Sequence, residues 1–115
     1  MQINGLVTTI IPVYNRPAML RQAVASVLEQ TYRPIEVVIV DDMASTGKTL
    51  MAAAEHLKAQ RADRIHCVVT HALFYEDAIE KMRSTGFTNI WSTDSVIHPS
   101  NSIELSQLLA SAFNP

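Results

Sequence analysis

The sequence predicts a three-layer αβα sandwich of the Rossmann-like or flavodoxin-like class, a single domain over residues 1–115 on a mainly parallel sheet of four strands. Three observations predict it. Short runs rich in β-branched residues alternate with stretches whose apolar residues recur at helical spacing, giving a βαβαβαβα order. One run, Ile35 to Val40, is apolar at five of six positions, with Val37, Val38, Ile39 and Val40 consecutive, as in a strand buried on both faces. Carboxylates then follow the ends of two strands, at Asp41-Asp42 and at Asp94.

Taken in order, Leu6 to Val13 is a first strand, with Pro12 marking its end. Asn15 suits a helix N-cap and Pro17 a first helical position. Leu20, Ala23, Val24, Val27 and Leu28 form one apolar stripe, and Pro34 closes the connection to the Ile35 strand. This βαβ unit implies parallel strands joined by a right-handed crossover. Leu50, Ala53, Ala54 and Leu57 are the stripe of a second helix. Arg64 to Thr70 is a third strand, with His66 read as a half-exposed filler, and His71 follows it. As a lone histidine, His71 is more often structural than catalytic. Tyr75, Ala78, Ile79 and Met82 give a third helix ending at Gly86. Thr88 to Ser92 is a fourth strand with Trp91 in the core. Ser100 or Asn101 then caps a last helix carrying Leu105, Leu108, Leu109 and Ala112. The expected strand order is 2-1-3-4, with helices on both faces.

Composition narrows the function classes. Hydrophobic residues make up 48% and charged residues 17%, which places the chain among globular domains. At 115 residues it buries roughly two-thirds of its unfolded surface. A net charge of −2 argues against a nucleic-acid partner, which requires a basic face. No apolar run reaches membrane-spanning length and no signal peptide is visible, so the expected compartment is the cytoplasm. The single Cys67 excludes an internal disulfide and a cysteine-rich metal site.

Asp41 and Asp42 are the first candidate site. Adjacent carboxylates repel one another and resist burial, which puts them at the strand's carboxyl end, the edge where open α/β sheets bind ligands. The loop after them holds Ser45, Thr46, Gly47, Lys48 and Thr49, and a helix starts near Thr46. Free N–H groups at a helix start, with hydroxyls beside them, suit a phosphate. The chemistry indicated is a sugar phosphate: the carboxylates take ribose hydroxyls, directly or through Mg²⁺, and the loop takes the phosphate. A strand end followed by a helix capped by Thr46 accounts for the same residues without a ligand. A P-loop does not, because Asp42 stands where its first glycine must be.

Two stretches resemble known families. IPVYNR, SVLEQTY and EVVIVDD, within residues 6–42, resemble the start of family 2 glycosyltransferases of the GT-A fold. That resemblance implies nucleotide contacts at Pro12, Tyr14, Asp41 and Asp42. VVIVDDMASTGKTL, AAAEHLKAQRADRI, VVTHALF and STDSVIHPSNSIELSQLLASAF, within residues 37–115, resemble the carboxyl-terminal part of ribose-phosphate pyrophosphokinase, a phosphoribosyltransferase-like fold. That resemblance implies a ribose 5-phosphate loop at Asp41, Asp42, Ser45, Thr46, Gly47 and Thr49, with Lys48 where many members carry glycine. The segments meet in the strand and acidic pair that both families contain, which suggests an artificial chimera. Each family's bond-making groups lie outside the matched stretches. The expected function is therefore residual binding of ribose 5-phosphate, phosphate or a nucleotide, with no cofactor required beyond possible Mg²⁺ at Asp41 and Asp42, and without turnover. The alternatives are a pyrophosphokinase-type fragment acting with a partner chain and a nucleotide-sugar-binding glycosyltransferase fragment. Sheet edges and apolar surfaces that both families cover predict a homodimer, with exchange of segments at the junction.

Overall fold

A computed structural model describes residues 4–14 and 16–113. Asn15, the expected cap of the first helix, lies outside the described residues. The elements run β1 (Val7–Val13), α1 (Pro17–Leu28), β2 (Ile35–Ala44), α2 (Lys48–Ala59), β3 (Arg64–Ala72), α3 (Ala78–Thr85), β4 (Asn89–Thr93), β5 (Asn101–Ile103) and α4 (Ser106–Phe113). The fold is α/β and Rossmann-like, with every strand pair of the five-stranded sheet parallel.

Strand order differs from the expected 2-1-3-4. It is β1-β2-β3-β4-β5, so each strand pairs with the next in sequence. This order has a topological consequence. A right-handed crossover that always steps to the same side returns each helix to the same face of the sheet. Accordingly α1, α2 and α3 lie side by side on one face and share a single core. Val24 of α1, Leu57 of α2 and Met82 of α3 meet Val37, Ile39, Cys67 and Val69 of the sheet there, all with side chains almost fully buried. The register aligns Ile11, Ile39, Cys67 and Ile90 across four strands, one row of that floor.

The third layer of the expected sandwich is not filled by the described residues. On the other face the row Pro12, Val40, Val68 and Trp91 and the adjacent Ile10 and Val38 stay partly or largely exposed, Ile10 by 65%. In β2 burial alternates, with Val37 and Ile39 buried and Val38 and Val40 only intermediate. The strand is interior, as its composition predicts, but only one of its faces is covered.

His66 is on this open face, yet it is 5% exposed and not half-exposed as expected. Its cross-strand neighbours bury it. Trp91 stacks on the ring with centroids 4.9 Å apart. Asn89 Nδ2 donates to Nδ1 at 3.3 Å, which leaves the proton on Nε2 for Glu36 Oε2 at 3.1 Å. Thr8 Oγ1 donates to the other Glu36 oxygen at 2.6 Å. Trp91 itself is a half-covered lid and not a core residue.

Two further boundaries move. Residues 101–103, expected to open the last helix, form β5, and α4 begins only at Ser106. The cause is Asn101, whose Nδ2 reaches Thr93 O (2.7 Å), Ser92 Oγ (2.9 Å) and Val96 O (3.1 Å), while its Oδ1 accepts from His98 N (3.0 Å). These bonds close the short 94–100 connection against β4. The third helix starts at Ala78, later than Tyr75, and Gly86 ends it as expected, with φ 127°.

The hydrogen bond from Thr8, followed by His66 and the nearby charge of Arg64, holds the Glu36 carboxyl below its ordinary range. A depressed carboxyl contributes stability that is present above its unfolded pKa and is lost as pH falls through the folded value. Glu36→Gln is therefore expected to lose about 1 kcal/mol in urea unfolding at pH 7. The gap to the unsubstituted chain should close under acid conditions that protonate Glu36 in both states. A gap independent of pH would reject the ionic role.

Candidate functional site

The acidic pair does not end its strand. β2 continues through Asp41 and Asp42 to Ala44, because β1 pairs with it as far as Asp41 and β3 as far as Ala44: Asp41 aligns with Val13 and Val69, and Met43 with His71. The loop that follows is consequently only three residues long. Tyr75 N donates to Ser45 O at 3.0 Å and straps this loop to the chain before α3. Gly47, at φ 72°, makes the turn and is the N-cap of α2, one residue beyond the expected Thr46. A Cβ on Gly47 would lie 2.8 Å from Met82 Sδ, so the turn needs glycine for both conformation and space. Thr46 Oγ1 receives only a long 3.4 Å contact from Lys48 N, and no side chain caps the helix. Beyond that contact no described side chain accepts from the first-turn N–H groups of α2, which lie at the carboxyl edge of the sheet.

A cavity of about 410 Å³ opens at this edge, lined by Val13, Tyr14, Arg16, Pro17, Asp41, Asp42, Met43 and Thr49. Four of the residues singled out from sequence meet there: Tyr14, Asp41, Asp42 and Thr49. The others do not line it. Pro12 turns to the exposed side of β1, and Ser45, Thr46 and Gly47 lie outside the lining. Lys48 points into the neighbouring groove between α1 and α2, alongside Arg21 and His56. His71 Nδ1 is within 2.8 Å of Ser95 Oγ, a structural contact between β3 and the 94–100 connection. Sequence reasoning missed Arg16 and Met43. Arg16 was visible as the cation that closes IPVYNR before a helix, whereas Met43 enters only because the strand outruns its acidic pair.

The lining is asymmetric in charge, with two carboxylates and one arginine. Arg16 Nη1 donates to Met19 Sδ at 3.5 Å and makes no ion pair with either carboxylate among the described residues. Burial, followed by the adjacent Asp42, pushes the Asp41 carboxyl above its ordinary value, although Asp41 Oδ1 accepts a hydrogen bond from Asp42 N at 2.8 Å. Burial, with a smaller contribution from Asp41, pushes the Cys67 thiol up to about 12, so this buried cysteine is no nucleophile at neutral pH. A bare phosphate would meet repulsion from the acidic pair. A hard divalent cation would relieve it, and Mg²⁺ is commonly held by one or two carboxylates together with substrate phosphates. The donor set thus fits such an ion, although no cluster of three or more His, Cys, Asp or Glu occurs among the described residues.

The glycosyl transferase family 2 model matches residues 8–81, well beyond the 6–42 stretch expected from the motifs. Among curated proteins, the chain is 37% identical over 79 residues to ribose-phosphate pyrophosphokinase 1 of Archaeoglobus fulgidus, covering 69% of this chain and 28% of that protein. It is 37% identical over 76 residues to ribose-phosphate pyrophosphokinase of Methanopyrus kandleri, covering 66% and 26%. The chain thus spans little more than a quarter of these relatives' length. Among solved structures, phosphoribosylpyrophosphate synthetase from Mycobacterium smegmatis superposes with a TM-score of 0.59 at 16% identity, over 95% of this chain and 44% of that one, a likeness of fold. Both resemblances read from the sequence are supported.

Two substitutions test the local physics. Gly47→Ala is expected to cost about 1–2 kcal/mol in denaturant unfolding, since alanine resists the left-handed conformation. A neutral result would show that the turn re-forms elsewhere. For Asp41 the raised folded pKa means that ionisation opposes folding, with the penalty growing as pH rises above the unfolded pKa. Asp41→Asn should therefore unfold at higher urea than the parent chain at pH 7, with the advantage vanishing in acid. A destabilised Asp41→Asn at pH 7 would overturn this account of the pair.

Proposed function

The chain belongs to glycosyl transferase family 2, and on that premise we propose that it is a chimeric α/β domain that binds a ribose phosphate or nucleotide without bond-making machinery of its own. In this reading residues 6–36 are the glycosyltransferase-like βα segment and residues 37–115 the pyrophosphokinase-like segment, joined by engineering. The observation that carries the binding role is the shared cavity. Tyr14 and Arg16 reach it from the turn after β1, and Asp41, Asp42 and Thr49 reach it from β2 and the start of α2. Each segment thus contributes to one site at the carboxyl edge.

The roles follow from side-chain chemistry. The Thr49 hydroxyl and the first N–H groups of α2 donate to phosphate oxygens, and Arg16 supplies the balancing positive charge. The exposed Tyr14 offers an aromatic face to a base. Asp41 and Asp42 accept from ribose hydroxyls or hold Mg²⁺, which when bound neutralises phosphate charge. An exposed helix start contributes only about 0.3–1 kcal/mol, so binding is weak. The competing reading is a pyrophosphokinase-type fragment that needs a partner chain, and the partial coverage of the curated relatives favours it. No described helix is long and apolar enough to cross a membrane, and a cytoplasmic location is part of the proposal.

Titration with ribose 5-phosphate, UDP and UDP-sugars, with and without Mg²⁺, tests this function. The expected outcome is saturable movement of the Thr49 and Leu50 amide signals in NMR, with Kd on the order of 1 mM. Mg²⁺ should strengthen binding in the parent chain and have no such effect in an Asp41→Asn, Asp42→Asn double variant. Unmoved amides at saturating ligand would reject the site. Product formation by the isolated chain would reject the absence of turnover.

A further inference from the structure

The open face of the sheet and the helix α4 are two unpartnered apolar surfaces on one chain. The first carries Ile10, Val40, Val68 and Trp91 across four parallel strands. Parallel sheets ordinarily have both faces covered. The carboxylate at its amino end is partnered: Glu36 is bonded to Thr8 and His66 and lies in the field of Arg64. The second surface, α4, has no charged residue in Ser106–Phe113 and no buried one, with Leu108 70%, Leu109 55% and Phe113 82% exposed. A solvated helix normally carries charge on its outer face, and this one has none.

We propose that a second copy of this chain covers the open face, each copy laying its α4 across the sheet of the other. Several observations favour this occupant. Both complementary surfaces are on one chain, so a two-fold pairing uses each of them twice and closes on itself. The departure of α4 is fixed by the two-residue link Glu104-Leu105 and by Leu105 N donating to Asp94 Oδ1 at 3.1 Å, and from there it buries none of its residues on its own sheet. The dimensions suffice. Strands about 4.8 Å apart and about six residues long give each face a footprint on the order of 400 Å². Two such faces, with two α4 helices as a shared middle layer, approach the ~1,200–2,000 Å² of stable interfaces. A net charge of only −2 per chain offers little opposition. The pair thereby supplies the missing third layer, and Ile10, Val40, Val68 and Trp91 are not among the residues that line the carboxyl-edge cavity. The dimer therefore stands or falls independently of ligand binding.

Sedimentation equilibrium over a wide concentration range is the first test, with circular dichroism confirming that each variant folds. The expected result is a species of twice the 12.7 kDa chain mass. Leu108→Glu on α4 and Ile10→Lys on the sheet replace side chains already exposed in the single chain. Each is expected to weaken the dimer about tenfold or more while leaving the far-ultraviolet spectrum unchanged. A chain carrying both Ile10→Cys and Leu108→Cys should form covalent dimers on oxidation, since Cys67 is buried and does not compete. A monomer at all concentrations, or a dimer indifferent to both substitutions, overturns the proposal. Loss of the dimer in Ile10→Lys alone removes α4 from it, and an intramolecular bridge shows that α4 folds back on its own sheet.

Discussion

The handedness of the crossovers governs this molecule more than any single contact. Parallel β-α-β steps turn right-handed, and each step from β1 to β4 moves to the same side. Three helices are thereby committed to one face. The core that results is deep on that side, where Val37, Ile39, Cys67 and Val69 are closed over by Val24, Leu57 and Met82. The other side receives nothing from α1, α2 or α3. A sheet whose order reversed at a switch point would place helices on both faces and open a crevice between the diverging loops. Here no reversal occurs, and the carboxyl edge is a row of neighbouring loops.

That geometry explains why the candidate site is shallow and mixed in charge. The turn after β1 and the turn after β2 are adjacent because their strands are adjacent, so Tyr14 and Arg16 stand next to Asp41, Asp42 and Thr49. The site is a product of register: Val13 aligns with Asp41, which brings the turn after β1 beside the acidic pair. Gly47 fixes the other wall, since its left-handed turn against Met82 sets where α2 begins. Packing beneath the candidate site and the start of α2 at its rim thus depend on the same three-residue loop.

The open face shows how polar and apolar requirements are met where helices are missing. Glu36 and His66 would be poorly placed beneath a packed helix, and here they form a bonded row with Thr8 and Asn89 that Trp91 shields. Beside that row, Ile10, Val40 and Val68 have no such arrangement, and their exposure is the structural cost of the one-sided topology.

Much of this was determined by the sequence alone. The apolar stripe of Leu20, Val24 and Val27, the β-branched run of β2 and the glycine after Met82 set the α/β class, the parallel pairing and most element positions, because periodicity and backbone preference are local properties. The acidic pair was legible as part of the sheet's carboxyl edge for the same reason, whereas Ser45 and Thr46 of the hydroxyl loop lie outside the cavity lining. Only the tertiary structure decided strand order, and with it the single covered face, since a run such as Val37 to Val40 fits burial on one side or both. Likewise, only the neighbours of β2 decided that it passes through Asp41 and Asp42, only Trp91 and Glu36 buried His66, and only Asn101 turned an expected helix start into β5. In each case the outcome depends on which residues stand across a strand pair, and that information is not local to the chain.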